Sequence, residues 1–515
     1  MSLAVAYTRA QLGLRAPLVI VETHLTPGLP SVGMVGLPET AVRESKERVR
    51  SAILNAGFEF PQRRMTINLA PADIPKGGTR YDLSIALSIL AASGQIPTEA
   101  LDHYECSAEL ALTGELRAVR GLLPAAIAAR DATRNLLCAP EDVAEATLCA
   151  NLPVYSARNL REVCAHLDHT QPLTPTPHEN FSAALRPYGG ADLQEVRGQV
   201  HAKRGLEIAA AGGHNVLLIG PPGTGKTMLA TRMPGILPPL TEAEAFELAV
   251  IRSVAAQPWA AASWRQRPFR APHHTASAVA IVGGGALPKP GEISLAHHGI
   301  LFLDELPEFD RRVLEVLREP LESGRVAIAR AASHVEFPAE FQLIAAMNPC
   351  PCGYAGDPSG RCSCSPERIA RYRGRLSGPL IDRIDIQLEV ARETDWLSTP
   401  TPAQAEASSV IRDRVATARA RAVARQGKLN RELSARDLRE FVALDPASER
   451  FLESAFHRFN LSARTYHRLL KLALSIADLD GRATVTQNDL AEALTLRRLD
   501  LRAAEESRRR AGLYQ

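Results

Sequence analysis

The sequence predicts an α/β protein that contains a phosphate-binding domain with a parallel sheet, preceded by a second α/β domain and followed by a helical lid. Three observations predict this class. A glycine-rich phosphate loop follows an apolar run in the middle of the chain, and further apolar runs alternate with helical patterns. The C-terminal part carries helical patterns with almost no strand signal.

Length and charge restrict the function classes. The chain has 515 residues, which is long enough for several domains that each bury a core. Its net charge of +3 excludes a global polycation, so binding to nucleic acid requires a local basic surface. No run of about 18 apolar residues is present, and we therefore expect no membrane span.

The start of the chain and its cysteine content indicate a reducing compartment. Arg9 and Arg15 interrupt the first apolar stretch, which predicts that there is no signal peptide. We therefore expect a cytoplasmic protein. In such a compartment, clustered cysteines favour a metal site over disulfides.

Composition divides the chain into four parts. Residues 1–165 mix strand-like and helical runs and are predicted to form the first α/β domain. Residues 166–190 are rich in Pro, Thr and His, which is typical of a linker. Residues 191–395 alternate strands and helices, and residues 403–507 are predicted to form the helical lid.

The strongest motif is a phosphate loop of the form G-x-x-x-x-G-K-[ST]. It consists of Gly220, Pro221, Pro222, Gly223, Thr224, Gly225, Lys226 and Thr227. An apolar strand pattern precedes it and a helical pattern follows it, as the motif requires. Its backbone N–H groups are predicted to surround phosphate, Lys226 to neutralise the terminal phosphates, and Thr227 to ligate Mg²⁺. ATP and Mg²⁺ are the predicted cofactors.

Two further strands end in polar residues suited to hydrolysis. Asp304 and Glu305 follow the apolar run 300–303, and Asn348 follows the run 341–347. Asp304 is predicted to hold Mg²⁺ and Glu305 to orient the attacking water. Asn348 is predicted to contact the γ-phosphate. Together with the phosphate loop, these residues predict an ATP hydrolase.

These motifs resemble those of the AAA+ ATPases. The segments 269–274 and 283–298 are similar to an insertion found in the branch that contains magnesium-chelatase ATPase subunits and minichromosome-maintenance helicases. Residues 324–338 are predicted to form a hairpin. The resemblance implies that the insertion and the hairpin face a ring pore, and it makes Lys289 and Arg330 candidates for DNA binding.

The same resemblance implies roles for two arginines. Arg383 matches the arginine finger, which reaches the site of a neighbouring subunit. Arg464 matches the second sensor, at the start of a lid helix that Ser462 is predicted to cap. The resemblance thus implies a homo-oligomer, a hexameric ring, with Glu305, Asn348, Arg383 and Arg464 as its catalytic residues.

Over its whole length, the chain resembles the magnesium-chelatase-like YifB and ComM family. The matching segments are 36–48, 68–78, 214–215 and 348–353. The resemblance implies an ATP-driven DNA motor of the helicase type, which promotes branch migration when DNA is integrated during natural transformation. DNA is the implied partner. Two alternatives remain open: a chelatase-type ATPase, and a protein-remodelling ATPase that acts on a protein partner.

The first domain resembles the Lon protease domain, a ribosomal S5-like α/β fold. A Lon-type peptidase requires a serine nucleophile and a lysine base. In this chain, Arg80 stands at the serine position and Leu123 at the lysine position. We therefore expect a catalytically inactive domain that serves for docking.

Four cysteines follow Asn348, at the end of the apolar run 341–347. Cys350, Cys352, Cys362 and Cys364 form two C-x-C pairs in a short glycine-containing segment. Four thiolates favour a structural Zn²⁺ in tetrahedral geometry. The alternative is a set of free thiols or a redox-sensitive cluster.

Overall fold

The structure is a computed structural model. It describes residues 3–178, 189–257, 260–285, 288–330, 333–358, 360–392, 406–459 and 461–497. It combines a mixed α/β domain, a parallel-sheet domain and a set of C-terminal helices, and this confirms the predicted fold class.

The first domain is built on a seven-stranded mixed sheet. Its strands are β1 (Leu3–Arg9), β2 (Leu18–Thr26), β3 (Ser31–Val35), β4 (Arg64–Ala70), β5 (Tyr104–Ser107), β8 (Asn135–Cys138) and β9 (Val154–Ser156), while β6 (Glu109–Leu110) and β7 (Leu116–Arg117) form a separate ribbon. The order is β3-β4-β2-β1-β5-β8-β9. The pairs β1–β2 and β2–β4 are antiparallel and the others are parallel.

Five helices accompany this sheet. They are α1 (Thr40–Asn55), α2 (Asp82–Ala92), α3 (Leu122–Asp131), α4 (Val143–Ala146) and α5 (Leu160–Leu167). Every residue of α2 is buried, because its sequence is apolar on all sides and it packs on β1 and β2. The core of the domain therefore lies between α2 and the sheet.

The linker starts later than the sequence predicts. His166 and Leu167 belong to α5, and Leu173 packs against the core of the first domain. The His166 Nδ1 accepts a hydrogen bond from the backbone N–H of Leu173 at 3.0 Å. Two isolated leucines among prolines and threonines do not form a periodic pattern, so composition alone did not reveal this packing. Residues 179–188 of the predicted linker lie outside the described residues.

The second domain is built on a five-stranded parallel sheet. Its strands are β10 (Val216–Ile219), β11 (Phe269–Arg270), β14 (Ile300–Leu303), β17 (Gln342–Met347) and β18 (Ile386–Glu389). Their order is β11-β14-β17-β10-β18, and all four pairs are parallel. The strands β14 and β17 are buried along their whole length, as continuous apolar runs in a parallel sheet require.

Helices and two antiparallel ribbons surround the parallel sheet. The helices are α6 (Val200–Gly212), α7 (Lys226–Ile236), α8 (Glu242–Val254), α9 (Ala278–Val282), α10 (Glu292–Leu295), α11 (Arg311–Val316), α12 (Pro320–Ser323), α13 (Pro366–Arg373) and α14 (Gly378–Ile381). The ribbons pair β12 (Gly283–Gly284) with β13 (Lys289–Pro290) and β15 (Arg325–Arg330) with β16 (Ser333–Pro338). The second ribbon confirms the hairpin predicted at 324–338.

The C-terminal part consists of five helices within residues 406–459 and 461–497. They are α15 (Ser408–Gln426), α16 (Ala435–Phe441), α17 (Pro446–Phe459), α18 (Ala463–Leu479) and α19 (Gln487–Thr495). Helix α15 packs on α6 and α7, and α18 packs on α6 and α19. The hydroxyl of Ser462 accepts a hydrogen bond from the N–H of Thr465 at 3.1 Å, which confirms the predicted cap.

The two α/β domains are in direct contact. Helix α3 of the first domain packs against α8 of the second. The N–H of Gly121 donates to the carbonyl of Ser253 at 3.1 Å, and the N–H of Leu123 donates to the Ser253 hydroxyl at 3.3 Å. A second contact brings Gly13 so close to β16 that an added Cβ would lie 2.3 Å from Val335 Cγ1. Among the helices of the described ranges, none is long and apolar enough to cross a membrane.

Candidate nucleotide-binding and hydrolysis site

Three neighbouring strands of the parallel sheet end at one edge. Ile219 of β10 pairs with Met347 of β17, and β14 lies on the other side of β17. The segments that follow these strands are therefore neighbours, as is usual at the carboxyl edge of a parallel sheet. They carry the phosphate loop, Asp304 and Asn348, so the three sequence motifs meet at one place.

The phosphate loop requires glycine for two different reasons. Gly223 and Gly225 have φ angles of 78° and 88°, in the left-handed region that L side chains rarely adopt. Gly220 is restricted by space, because a Cβ there would lie 2.2 Å from the carbonyl oxygen of Val390. The loop can thus turn tightly between β10 and α7 and present its backbone to a ligand.

Lys226 lies at the centre of the site. Its Nζ donates to the carbonyl oxygens of Gly220 and Pro221, both at 2.8 Å, and to Oδ1 of Asn348 at 3.1 Å. The residue is only 8% exposed. Burial lowers the pKa of Lys226, while Asp304 and Glu305 oppose that change. The ammonium group is thus held between the phosphate loop and the side chain predicted to sense the γ-phosphate.

Two oxygen ligands suited to Mg²⁺ lie side by side. The Thr227 hydroxyl donates to Asp304 Oδ2 at 2.6 Å, and Asp304 Oδ1 accepts from the N–H of Glu305 at 2.9 Å. Hydroxyl and carboxylate oxygens are ligands that Mg²⁺ uses beside nucleotide phosphates. Thr227 and Asp304 therefore fit the magnesium ion that accompanies ATP.

Glu305 contacts a residue that the sequence analysis did not assign to the site. Its φ angle is 52°, which turns its side chain sharply out of the strand direction. Its Oε2 lies 3.3 Å from Nδ1 of His274, and its side chain is 55% exposed. His274 follows β11, the edge strand next to β14. Only the position of His274 after a strand next to β14 could have indicated this contact. The sequence does not reveal that strand, because β11 has only two residues and shows no strand pattern.

Arg383 lies at the amino ends of the strands, whereas the phosphate loop lies at their carboxyl ends. Asn215 precedes β10, and its Nδ2 donates to the backbone oxygen of Arg383 at 2.9 Å. The Arg383 guanidinium forms an ion pair with Glu322 and donates to the carbonyl of Pro379 at 2.8 Å. The phosphate loop follows β10, whereas Arg383 lies beside the residue that precedes it. The structure therefore does not bring Arg383 to the phosphate loop of its own chain.

Arg464 lies on the same side as Arg383. Its Nη1 is 3.4 Å from Asp382 Oδ2, within the segment that contains Arg383. Both arginines line a cavity of about 670 Å³. Three further basic side chains line this cavity, namely Arg431, Arg468 and Lys471. The carboxylates of Glu322, Glu340, Asp385 and Glu432 line the same cavity, so they offset most of this positive charge.

A largely buried carboxylate, that of Asp385, lines that cavity. Asp385 is 3.3 Å from His214 Nδ1 and 3.4 Å from Arg468 Nε. Burial disfavours its charge, but the hydrogen bond with His214 and the charges of Arg468 and Arg497 hold the pKa of Asp385 at about 2. Asp385 therefore remains ionised and orients Arg468 at neutral pH.

The four cysteines form a compact cluster next to the phosphate loop. Their sulfur atoms all lie within 4.8 Å of one another, and the pairs Cys350–Cys352, Cys350–Cys362 and Cys352–Cys362 are separated by 3.3, 3.8 and 3.7 Å. Four thiolates at a Zn–S distance of about 2.3 Å stand about 3.8 Å apart in a tetrahedron. The cluster thus fits zinc.

This cysteine segment touches the phosphate loop directly. A Cβ on Gly353 would lie 2.7 Å from Cδ of Pro222. Gly353 has a φ angle of 87°, so both its conformation and its surroundings require glycine. The position of the cysteine cluster is therefore coupled to the position of Pro222 in the loop.

The two candidate DNA-binding residues belong to adjacent ribbons. Lys289 is exposed on β13, and Arg330 ends β15, although its side chain lies outside the described residues. A Cβ on Gly283 of the first ribbon would lie 3.1 Å from Ile328 of the second. The first ribbon is therefore in contact with the middle of the second.

The strand order and the phosphate loop between β10 and α7 are those of an AAA+ ATPase fold. Family models agree with this class. The description "Magnesium chelatase, subunit ChlI" matches residues 192–396, "Subunit ChlI of Mg-chelatase" matches residues 21–142, and "Magnesium chelatase, subunit ChlI C-terminal" matches residues 405–497.

Whole-chain comparisons narrow the assignment. The chain is 49% identical to YifB of Salmonella typhimurium over 500 residues, which cover 97% of this chain and 98% of that protein. It is 48% identical to the competence protein ComM of Haemophilus influenzae over 500 residues, with 96% and 98% covered. The chain belongs to the magnesium-chelatase-like family of YifB and ComM.

We predict that Gly220→Ala weakens ATP binding at least about tenfold, because the added methyl group cannot fit beside the carbonyl of Val390 without displacing the loop. The measurement is titration with a fluorescent ATP analogue. Gly378→Ala is the matched control, since a Cβ added at that glycine would meet no atom within 4 Å. Equal affinity of the Gly220→Ala and unchanged proteins would show that the loop is not the nucleotide site.

Proposed function

We propose that the protein is an ATP-driven DNA motor that works as a ring, with six subunits as the expected number, and promotes branch migration during the integration of DNA. The proposal rests on where the structure places the phosphate loop, the acidic residues and the arginines. The phosphate loop and acids lie at one edge of the sheet, and the arginines lie at the other. A complete hydrolysis site then needs a second copy of the chain.

In this proposal, the carboxyl edge of the sheet binds and hydrolyses ATP. Lys226 and the loop N–H groups hold the phosphates, and Thr227 and Asp304 hold Mg²⁺, which supplies positive charge to the β- and γ-phosphates. Glu305 orients the attacking water and Asn348 contacts the γ-phosphate. His274 positions the Glu305 carboxylate through their contact at 3.3 Å.

The arginines act on the neighbouring subunit. The four residues of β10 separate the two edges by about 13 Å, a distance that keeps Arg383 away from its own phosphate loop. In a ring, the amino edge of one subunit faces the carboxyl edge of the next, and Arg383 stabilises charge on the transferred phosphoryl group. Arg464 shares the cavity of Arg383 and acts at the same interface.

DNA is the proposed substrate of the two ribbons. Lys289 and Arg330 contact the phosphate backbone from adjacent ribbons, which gives binding that is independent of base sequence. A role in competence is supported by the 48% identity with ComM. ATP hydrolysis coupled to ribbon movement would displace a DNA junction.

The four-cysteine cluster is proposed to bind structural zinc. Cys350, Cys352, Cys362 and Cys364 would hold the ion with four thiolates, a ligand set that would leave no open position for a substrate. With the ion bound, the cysteine segment would keep Gly353 in contact with Pro222 of the phosphate loop.

The central prediction concerns DNA and ATP together. The purified protein should move a labelled four-way junction only with ATP and Mg²⁺, and junction DNA should stimulate its ATPase. Lys226→Ala should lose ATP binding, while Glu305→Gln should bind ATP but hydrolyse it about 100-fold more slowly or worse, because the water is no longer activated. Glu308→Gln, in the same turn, is the control and should retain activity.

Two results would contradict this assignment in different ways. Turnover at the normal rate in Glu305→Gln would remove that residue from the role of orienting water. ATP hydrolysis without any DNA binding, stimulation or junction movement would reject the DNA motor. It would instead favour a chelatase-type or protein-remodelling ATPase.

Mixing two inactive variants tests the action of Arg383 between subunits. Lys226→Ala and Arg383→Ala should each be inactive alone. In a random equal mixture, about a quarter of the interfaces combine an intact loop with an intact arginine, so ATPase activity should return in proportion. Mixing Lys226→Ala with the Lys226→Ala/Arg383→Ala double variant is the control. If no activity returns in the first mixture, Arg383 does not act between subunits.

Metal analysis tests the cysteine cluster. The protein should contain about one zinc per chain, and Cys350→Ser and Cys362→Ser should each lose it, because three thiolates hold the ion far less tightly. Cys149→Ser, a buried cysteine of the first domain, should retain it. Chelation should also weaken ATP binding several-fold. Protein that has reduced thiols and no metal when purified under metal-replete conditions would disprove the zinc site.

A further inference from the structure

Arg80, which stands at the serine position of the Lon domain that the first domain resembles, lines a cavity at the junction of the two α/β domains. The cavity has a volume of about 420 Å³. The first domain contributes residues 77–80, Gln11 and Arg120, and the ATPase domain contributes Val254 and Lys289. This volume falls within the range of about 300–1,000 Å³ that is usual for small-molecule sites.

Arg80 is a buried cation without an ion-pair partner among the described residues. It is only 4% exposed. Its Nη2 donates to Gln11 Oε1 at 2.9 Å and to the backbone oxygen of Arg120, but its Nη1 has no hydrogen-bond partner in the described ranges. Burial of an arginine without a carboxylate partner is costly and unusual. Arg80 lines the cavity, so an anionic ligand bound there would compensate its charge.

The nearest carboxylates compensate for this charge incompletely. Asp142 and Glu145 interact with Arg80 only at longer range. Their oxygens accept hydrogen bonds from the N–H groups of Val119 at 3.1 Å and Leu123 at 2.8 Å. Burial raises the pKa of Asp142 to about 7 and also raises the pKa of Glu145, so both carboxylates are costly to keep ionised.

The adjacent loop offers backbone donors. Within the described part of the chain, the N–H groups of Gly77, Gly78 and Thr79 enter no hydrogen bond. Gly78 has a φ angle of 85°, which makes the loop turn at this point. Successive N–H groups beside a cation form an arrangement that suits phosphate oxygens.

The rim of the cavity carries charges of both signs. Arg120 and Lys289 are exposed basic residues, and Glu39 and Glu109 line the cavity as well. These four charges balance, so the excess is the part of the Arg80 charge for which Asp142 and Glu145 do not compensate. Lys289 comes from the ATPase insertion, and the cavity is complete only while the two domains stay docked.

We propose that this cavity binds a small phosphorylated molecule, with its phosphate held by Arg80 and the loop 77–79. Phosphate matches the donors better than a carboxylate does, because it presents more acceptor oxygens to a guanidinium and several N–H groups. This pocket is separate from the ATP site, because none of the phosphate-loop residues lines it.

The test uses the full-length Lys226→Ala protein, in which phosphate binding at the ATP site is weakened. The probe is inorganic phosphate, with citrate as the carboxylate arm. Hydrogen exchange should slow about threefold or more in peptides covering 77–81 when phosphate exceeds its Kd several-fold, and the melting temperature should rise by about 2 °C. Citrate should have a smaller effect.

Variants identify the residue responsible. Adding Arg80→Gln should abolish both effects of phosphate, and it should not lower the melting temperature without phosphate, since it removes an uncompensated buried charge. Arg117→Gln, an exposed arginine paired with Glu109, should retain both effects.

Three outcomes would overturn the proposal. One is the absence of phosphate protection at residues 77–81 in the Lys226→Ala protein, a result that does not depend on whether the Arg80 variant folds. Another is protection that persists in Arg80→Gln. The third is protection by citrate but not by phosphate, which would assign the pocket to a carboxylate.

Discussion

The hydrogen bond between Lys226 and Asn348 depends on the parallel register of β10 and β17, and the rest of the site is arranged around it. The loop that begins after β10 is too tight to adjust, because Gly220 is pressed against Val390. The register of β14 against β17 must therefore place Asp304 and Glu305 level with the phosphate loop. A parallel sheet with buried strands supplies that precision, since a one-residue shift of register would turn every side chain to the opposite face and disrupt the packing on both faces.

The same rigidity leaves the arginines out of reach. Arg383 and Arg464 lie around one cavity at the amino edge, and Asp385 stays ionised beside them. The strands between the two edges cannot shorten, so no small motion within one chain joins the two halves. In the proposed ring, hydrolysis that depends on these arginines is linked to assembly.

Local motifs were predictable from sequence, whereas contacts between distant segments were not. The positions of Lys226, Asp304 and Asn348 followed from apolar runs that end in polar residues, and the structure brings these residues together. The contact of His274 with Glu305 escaped prediction because it depends on a two-residue strand placed by the sheet. The sequence places Arg80 at the serine position of the Lon domain that it resembles, but no local pattern predicts that Arg80 is buried beside the contact between two domains.

The contact between α3 and α8 has a consequence for how the protein unfolds. Apolar residues of α3, among them Leu122 and Leu123, form one cluster with Ala249 of α8, and Trp264 packs against it. Separating the domains would expose this cluster to water and leave the hydrogen bonds of Ser253 unmade. The two domains therefore share part of their stability, and heat or denaturant should melt them as one cooperative unit.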